Sequence, residues 1–197
     1  MKINVVMICD DKYVMPTSVA VTSLIENKNE NSEIDIYIMC DKLSYKNMYK
    51  LKNLSTNKVN VIIREVDSSI YDGLEKKYSN VTCSSLLKFS IATELGELDK
   101  ALYLDGDILV LDDLEKFYNQ SLNEKYAAVI KDGPKPKKIP GGKKHEFYKN
   151  DNYFNSGVML LNLKKMRDDN VSKRLIDYRL NEYNYFMDQD AFNCIFR

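Results

Sequence analysis

Several residue types are scarce in this chain of 197 residues, and each shortage excludes a class of protein. Seven glycines and four prolines are too few for a low-complexity or collagen-like chain. The 29 basic residues are matched by 29 acidic ones, so bulk positive charge does not hold this protein to nucleic acid. No apolar run approaches the roughly 18 residues that would span a bilayer. The apolar opening, Ile3–Cys9, is too short for most signal-peptide cores, and we therefore expect a cytoplasmic protein.

Side chains that form disulfides and zinc sites are also few. The four cysteines, Cys9, Cys40, Cys83 and Cys194, have neither the spacing of a metal site nor the density of a disulfide scaffold. Cys9 and Cys40 each close an apolar run, so we expect both to be reduced and buried. The single histidine, His145, lies in a lysine-rich segment and is expected to be a loop residue.

What the chain does contain is an ordinary globular composition, with 44% hydrophobic and 29% charged residues. Its length suits one domain over residues 1–197. Short apolar runs alternate with helix-like stretches. The runs are Ile3–Cys9, Ile34–Cys40, Val59–Val66, Ala101–Leu104, Ala127–Ile130 and Val158–Leu161. Because they are nearly continuous in apolar residues, they predict strands buried on both faces of a mostly parallel, Rossmann-like sheet in an α/β fold.

The stretches between the runs carry helical patterns. Pro16 is predicted to open a helix as its first residue, with Val19, Ala20, Ser23 and Leu24 on its buried stripe. Two further stripes are formed by Met48, Leu51 and Leu54 and by Val171, Leu175 and Tyr178.

Aspartates follow five of the apolar runs, four of them directly and the fifth after one intervening residue, Lys131. They are Asp10, Asp41, Asp67, Asp105 and Asp132. Turn and capping chemistry explains any single one of them. Ligands of open α/β sheets, however, bind at the carboxyl ends of the strands, and a row of carboxylates there repels anions unless a cation intervenes. The pattern therefore predicts a sheet edge suited to a metal-bridged ligand.

The most informative aspartates are the pair in Tyr103-Leu104-Asp105-Gly106-Asp107. In extended backbone, residues i and i+2 point the same way, so both carboxylates can face one cation. Gly106 has no side chain and would let a ligand approach the backbone. Hard oxygen ligands suit Mg²⁺ or Mn²⁺, with substrate phosphates completing the shell.

Three further stretches carry polar groups. Asn155 and Gly157 stand at the start of an apolar strand, and Asp188 stands where a helix is predicted to begin. Capping of that helix is the simpler explanation for Asp188. The segment 132–152 is rich in lysine, proline and glycine, and it suits a mobile lid, a surface for an anionic partner or a solvated loop equally well.

Four motifs taken in order resemble family 8 of the retaining glycosyltransferases, which includes bacterial lipooligosaccharide galactosyl- and glucosyltransferases and glycogenin. They are Ile8-Cys9-Asp10-Asp11-Lys12-Tyr13, Tyr103-Leu104-Asp105-Gly106-Asp107, Phe154-Asn155-Ser156-Gly157-Val158 and Asp188-Gln189-Asp190. The resemblance spans essentially the whole chain. It implies the A-type nucleotide-sugar transferase fold, a UDP-sugar donor, Mn²⁺ with Mg²⁺ as the alternative cation, and a glycan, lipid-linked or protein acceptor. It also implies lipopolysaccharide biosynthesis and leaves room for peripheral contact with the inner face of the membrane.

The resemblance also implies roles for individual residues. Asp105 and Asp107 would hold the metal, and Gln189 and Asp188 would be the catalytic residues. The residues implied to bind the donor, or in the case of Asp132 donor or acceptor hydroxyls, are Cys9, Asp10, Lys12, Lys88, Leu104, Gly106, Asp132 and Asn155. A neutral amide such as that of Gln189 is a poor nucleophile, so front-side displacement is favoured over a covalent intermediate on Asp188.

Two departures from the family pattern affect these expectations. Lys88 stands where the family commonly has arginine, which keeps the charge but loses the bidentate fork. The family's third metal ligand, a histidine in a downstream segment, has no counterpart before Arg197. We therefore expect the chain to be either part of a longer enzyme or a shortened, weak or inactive UDP-sugar-binding relative.

Two alternatives come from other classes. A phosphatase of the haloacid-dehalogenase type also places an Asp-x-Asp pair after an apolar strand, although normally after the first one. Nucleic-acid binding through the lysine-rich segment has the charges but not the stacked aromatic residues, and it ranks last.

Overall fold

The computed structural model describes residues 1–71, 86–133, 153–182 and 186–196, and in this part of the chain six strands form one sheet with the order β3-β2-β1-β4-β6-β5. The strands are β1 (Lys2–Ile8), β2 (Glu33–Cys40), β3 (Val59–Glu65), β4 (Lys100–Leu104), β5 (Ala127–Lys131) and β6 (Phe154–Asn162). Every apolar run that predicts a strand overlaps one of them. The predicted α/β fold class is confirmed.

Helices connect the strands and cover the sheet. Within the described residues, the α-helices are α1 (Val14–Asn27), α2 (Tyr45–Lys52), α3 (Ile91–Glu94), α4 (Glu115–Tyr118), α5 (Leu163–Asp168), α6 (Val171–Asn181) and α7 (Met187–Ile195). Two 3₁₀ turns lie at Ser68–Tyr71 and Leu87–Ser90. The second of these turns positions Lys88, and α7 begins beside it at the same edge of the sheet.

One strand runs against the others. β1 pairs in parallel with both β2 and β4, and β2 with β3, whereas β6 is antiparallel to β4 and β5. The sheet is therefore mostly parallel, as predicted, with a single reversal within the described residues. Because β6 is reversed, its first residues lie at the edge where β1, β4 and β5 end. This reversal brings the Asn155–Gly157 region to the strand-end aspartates.

Alternate strand residues enter two apolar clusters, one on each face of the sheet. Val5 and Leu104 pack in the cluster covered by α1 and α2, whereas Val6 and Tyr103 pack in the cluster covered by α5, α6 and α7. All four side chains are at most 2% exposed. Burial on both faces explains why the strands are continuous apolar runs in the sequence.

The first helix differs from its prediction. It begins at Val14, so Pro16 occupies its third position, where the missing N–H still costs no helical hydrogen bond. Val19 is 50% exposed, whereas Ala20 and Leu24 are fully buried. The predicted buried stripe is therefore wrong at Val19, because the helix turns that side chain to solvent.

The other two helical stripes are confirmed. Leu51, Val171 and Leu175 are fully buried, and Met48, Leu54 and Tyr178 pack against the same clusters while remaining partly exposed. Leu54 lies beyond the end of α2 at Lys52 and still contributes to the core.

The cysteine prediction is confirmed for the residues that the structure describes. Cys9 and Cys40 are free thiols that are 1% and 0% exposed. Burial raises the pKa of Cys9 to about 11 and the pKa of Cys40 to about 12, so both thiols stay protonated at neutral pH. Cys83 lies outside the described residues. None of the described helices has both the length and the apolar character to cross a membrane.

Candidate active site

A cleft of about 430 Å³ opens at the edge of the sheet where β1 and β4 end. It is lined by Ile8, Asp10, Lys12, Tyr13, Lys88, Tyr103, Asp105, Gly106, Asp107, Met187 and Asp188. Four carboxylates and two ammonium groups therefore share one space. The excess of negative charge means that a phosphate-bearing ligand would need an added cation to bind there.

The Asp105-Gly106-Asp107 turn packs closely against neighbouring protein atoms. The Asp105 N–H donates to the Gly157 carbonyl over 2.8 Å, which joins the end of β4 to the reversed β6. A Cβ added at Gly106 would lie 2.6 Å from the Thr17 hydroxyl oxygen. A Cβ added at Gly157 would lie 2.5 Å from Asp105 Oδ2. A side chain at either glycine would therefore displace a neighbouring side chain, and Gly106 itself lines the cleft.

Lys88 is the cation at the centre of the cleft wall. Its Nζ donates to Asp188 Oδ2 over 2.8 Å and to Asp105 Oδ1 over 3.2 Å, and the residue is only 6% exposed. Burial by itself lowers the pKa of the ammonium, but the charges of Asp188 and Asp105 more than offset this and raise the pKa above its ordinary value. Lys88 therefore stays charged and holds both carboxylates together.

Tyr103 supports the same cluster from inside the core. Its hydroxyl donates to Asp105 Oδ1 over 2.6 Å, and its ring centroid lies 4.6 Å from Lys88 Nζ. Burial raises the pKa of the phenol well above its ordinary value, so it remains a donor. The sequence reasoning did not assign Tyr103 a role. The signal was present, because Tyr103 and Asp105 are an i, i+2 pair in extended backbone.

Asp188 does not cap the helix that it enters. The residue that precedes α7 is Phe186, which makes no side-chain cap, and its N–H instead donates to Asp190 Oδ2 over 2.9 Å. Asp188 Oδ2 accepts from Lys88 and from the Ser156 hydroxyl, the latter over 3.0 Å. The capping explanation for Asp188 is therefore wrong. Met187 begins the helix with φ 49°, a strained backbone conformation of the kind that collects at functional sites.

Gln189 lies beside Asp188 and connects two strands. Its Oε1 accepts from the Ser156 N–H over 3.1 Å, and its Nε2 donates to Asp132 Oδ2 over 2.8 Å. Asn193, one turn along α7, exchanges hydrogen bonds of 2.9 Å with the backbone of Phe154 in both directions. Helix α7 is therefore fixed against the first residues of β6.

Asp10 and Lys12 also line the cleft. Asp10 Oδ1 accepts from the N–H groups of Lys12 and Tyr13, each over 2.9 Å. The turn chemistry proposed for the strand-end aspartates is thus observed at Asp10, which also lines the cleft. Cys9 is buried behind this turn, and Leu104 is buried behind Asp105. Neither side chain lines the cleft.

The remaining predicted residues have different positions. Asn155 is exposed at the start of β6, outside the cleft lining, and its Oδ1 accepts from the Gly157 N–H over 2.8 Å. Asp132 does not line the cleft, and its Oδ2 accepts from Gln189 Nε2. Asp41 and Asp67 follow β2 and β3 and do not line the cleft, and Asp67 accepts from the Ser69 N–H over 2.9 Å. Of the five strand-end aspartates, Asp10 and Asp105 are thus the two that line the cleft.

The carboxylates of Asp105 and Asp107 are the candidate ligands for a divalent cation. Both hydrogen bonds that Asp105 accepts from Lys88 and Tyr103 fall on Oδ1, and Asp107 lines the same cleft two residues later. Two hard oxygen donors therefore fit part of a Mg²⁺ or Mn²⁺ shell. Within residues 1–71, 86–133, 153–182 and 186–196, no three His, Cys, Asp or Glu side chains are grouped to hold a metal. His145 and the lysine-rich segment 134–152 lie outside the described residues.

The chain matches a family model along nearly its whole length. The match is to glycosyl transferase family 8 and covers residues 4–197. A putative glycosyltransferase of Haemophilus influenzae is 27% identical over 98% of this chain. A lipopolysaccharide 1,2-glucosyltransferase of Escherichia coli is 26% identical over 99% of it. The chain spans 58% of the length of each of these two relatives.

Solved structures share the fold. The bifunctional glycosyltransferase WbbM superposes with a TM-score of 0.83 at 23% identity, over 99% of this chain and 37% of WbbM. The galactosyltransferase LgtC, solved with donor and acceptor sugar analogs, gives a TM-score of 0.81 at 24% identity, over 98% of this chain and 70% of LgtC. The predicted A-type nucleotide-sugar transferase fold is thereby confirmed.

Proposed function

The chain belongs to glycosyl transferase family 8, and from this premise we propose that it transfers a hexose from a UDP-sugar to an acceptor with retention of the anomeric configuration. The observation that carries the proposal is the pairing of Asp105 and Asp188 with the buried ammonium of Lys88 in a cleft that Asp107 also lines. Asp105 and Asp107 follow β4 at the edge where α/β sheets bind ligands. The family assignment favours a transferase over the phosphatase alternative.

The donor diphosphate explains why the cleft is acidic. We infer that Asp105 and Asp107 would hold Mn²⁺, or Mg²⁺ in its place, through their carboxylates. Bound there, the cation would offset the negative charge that develops on the departing diphosphate. Asp10 and Lys12, in the turn after β1, are then left to bind the nucleoside end of the donor.

The hydrogen bonds of Asp188 support front-side displacement. Asp188 Oδ2 already accepts from Lys88 and Ser156, and a carboxylate engaged in this way is a weaker nucleophile than a free one. Gln189 offers a neutral amide, which orients a substrate without forming a covalent bond. In this mechanism Lys88 keeps Asp105 and Asp188 in place, and the acceptor oxygen approaches the face that the diphosphate leaves.

The acceptor is proposed from the relatives. Two lipopolysaccharide 1,2-glucosyltransferases of Escherichia coli align with this chain, and LgtC was solved with an acceptor sugar analog. These names support a glycan or lipid-linked glycan as the acceptor class, with a protein as the alternative. A lipid-linked acceptor would place the enzyme at the inner face of the membrane.

A second candidate function is UDP-sugar binding without turnover. It is favoured by the two carboxylates of the metal site, to which the described residues add no third protein ligand. Release of UDP from UDP-glucose or UDP-galactose, measured with and without a glycan acceptor, separates the two functions. Turnover above the rate in EDTA supports the transferase, whereas UDP binding without release supports the binding module.

The first experiment is calorimetric titration of UDP into the chain with Mn²⁺ and again with EDTA. We expect binding that requires the metal in the unaltered chain and in Asp41→Ala, whose aspartate follows β2 outside the cleft. Asp107→Ala should abolish the metal-dependent binding while leaving the circular dichroism spectrum unchanged. Equal UDP affinity in Asp107→Ala and the unaltered chain would contradict the metal assignment.

The catalytic assignment of Gln189 has its own test. Gln189→Ala is expected to lower the transfer rate far more than it lowers UDP-sugar affinity, because the amide is proposed to act at the reacting carbon. Equal losses in both measurements would make Gln189 a binding residue only.

A further inference from the structure

The side-chain amide of Gln189 is held at both ends by groups from two different strands. The Ser156 N–H of β6 donates to Oε1 over 3.1 Å, and Asp132, directly after β5, accepts from Nε2 over 2.8 Å. An amide is nearly symmetric in shape, so its hydrogen-bond partners alone decide which end is the oxygen. Here a backbone N–H can only donate and a carboxylate can only accept. If the amide were reversed, its NH₂ group would face the Ser156 N–H and its oxygen would face the Asp132 carboxylate. Only one orientation therefore forms both hydrogen bonds.

Asp132 is itself fixed in place for this contact. Its N–H donates to the Tyr153 carbonyl over 2.9 Å, and its Oδ1 accepts from the Gly133 N–H over 2.7 Å. Its other oxygen, Oδ2, is the one that accepts from Gln189. Asp132 is half-buried and does not line the cleft that holds Lys88, Asp105 and Asp107. The hydrogen bond to Nε2 joins Asp132 to the proposed catalytic residue Gln189.

We propose that Asp132 is a positioning residue that sets the orientation of the Gln189 amide and thereby the transfer rate, without binding the donor. This inference rests on the proposed function. It replaces the expectation that Asp132 meets donor or acceptor hydroxyls directly. Through Gln189, Ser156 and Asp188, Asp132 is also linked to the Lys88 cluster by consecutive hydrogen bonds.

The variants to compare are Asp132→Asn, Asp132→Ala, Gln189→Ala and the double alanine variant. Asn has one acceptor oxygen where Asp132 uses two, so it can satisfy Gly133 or Gln189 but not both. We expect Asp132→Ala to lower kcat roughly 10- to 100-fold, the size of effect that a misplaced group produces. Asp132→Asn should fall between Asp132→Ala and the unaltered enzyme. The KM for the acceptor and the UDP affinity with Mn²⁺ should change by less than about twofold, because neither ligand is bound by Asp132.

The double variant gives the decisive comparison. If Asp132 acts through Gln189, the double alanine variant should be no slower than Gln189→Ala alone. Two control variants accompany this comparison. Asp41→Asn alters a strand-end aspartate outside the cleft. Ser156→Ala removes the hydroxyl that contacts Asp188 while keeping the N–H that faces Gln189. An additive loss, a raised acceptor KM, weaker UDP binding or an unchanged kcat in Asp132→Ala would each overturn the proposal.

A spectroscopic measurement separates this inference from the proposed function. In ¹⁵N-labelled protein with UDP and Mg²⁺, the Gln189 side-chain amide proton that faces Asp132 should be shifted downfield and exchange slowly with solvent. Both properties should be lost in Asp132→Ala and kept in Asp41→Asn. Gln189 signals that are the same in Asp132→Ala as in the unaltered chain would overturn the inference, whether or not the enzyme turns over. Absence of transfer by the unaltered chain, with this pattern intact, would instead contradict the proposed function.

Discussion

The turn after β1 and the cluster around Lys88 lie in the same cleft but are built in opposite ways. In the turn, Asp10 accepts from N–H groups only two and three residues further along the chain. In the cluster, Lys88 joins Asp105 and Asp188, which are 17 and 100 residues away. The turn is exposed and local, whereas the cluster surrounds a buried ammonium and is assembled from three elements. The comparison shows that one ligand site can combine a part that depends on short-range chemistry with a part that depends on the whole sheet.

The largest expected effect comes from removing the buried ammonium. Lys88→Met leaves Asp105 and Asp188 facing each other without their cation, and we expect a loss of about 3 kcal/mol in the free energy of unfolding. Lys12→Met, which removes the exposed lysine of the turn, should cost under about 0.5 kcal/mol. Urea unfolding of both variants measures the difference. Equal losses of unfolding free energy in Lys88→Met and Lys12→Met would show that the cluster and the turn contribute equally to stability.

Tyr103 tests the cluster without changing its charge. Tyr103→Phe removes the hydroxyl that donates to Asp105, and we expect roughly tenfold weaker Mn²⁺-dependent UDP binding, or about 1.4 kcal/mol. Tyr118→Phe is a matched control, because Tyr118 is also buried but lies outside the cleft. The Nζ of Lys100, a residue of β4, lies 4.5 Å from the centroid of its ring. Calorimetry should detect a change only for Tyr103→Phe, and the same change in both variants would contradict a specific role.

The turn after β1 is tested by a pair of aspartates with the same local geometry. Asp10→Ala and Asp67→Ala each remove a carboxylate that accepts from N–H groups close along the chain. Both variants should lower the urea midpoint slightly. Only Asp10→Ala should weaken UDP binding, by roughly fivefold, the equivalent of about 1 kcal/mol. If UDP affinity is unchanged in Asp10→Ala, the turn is structural and the nucleoside is bound elsewhere.

The smallest effect is expected from the buried thiols of Cys9 and Cys40. Neither side chain lines the cleft, so these thiols test the effect of burial alone. The folded pKa values of Cys9 and Cys40 are raised, to about 11 and about 12, so each thiol stabilises the fold fully below its unfolded pKa near 9.0 and loses this contribution as the pH rises further. Between pH 7 and pH 9 each should contribute a fall of about 0.4 kcal/mol in the free energy of unfolding. The Cys9→Ala, Cys40→Ala double variant should show a shallower fall over the same range in urea unfolding. An unchanged slope would show that the thiols are not protonated by burial.

The same contrast explains which parts of the site could be predicted. Asp10 and Asp105 were identifiable because an aspartate directly after a continuous apolar run marks a strand end, and Asp107 was identifiable as the i+2 partner of Asp105. Tyr103 and Ser156 were not assigned roles, since their importance depends on which residues the reversed strand and α7 bring next to them. The capping explanation for Asp188 failed for the same reason, because Lys88 and Ser156 are distant in the sequence and offer the carboxylate better partners than its own helix does.

By itself, the sequence determined the strands, the α/β class and the family, because continuous apolar runs and local motifs are properties of short segments. The tertiary structure alone decided that β6 runs against its neighbours, that only two of five strand-end aspartates line the cleft and that Asp132 meets Gln189. These are consequences of strand order and register. Both are chosen by the burial of two sheet faces together, which involves residues from the whole chain at once.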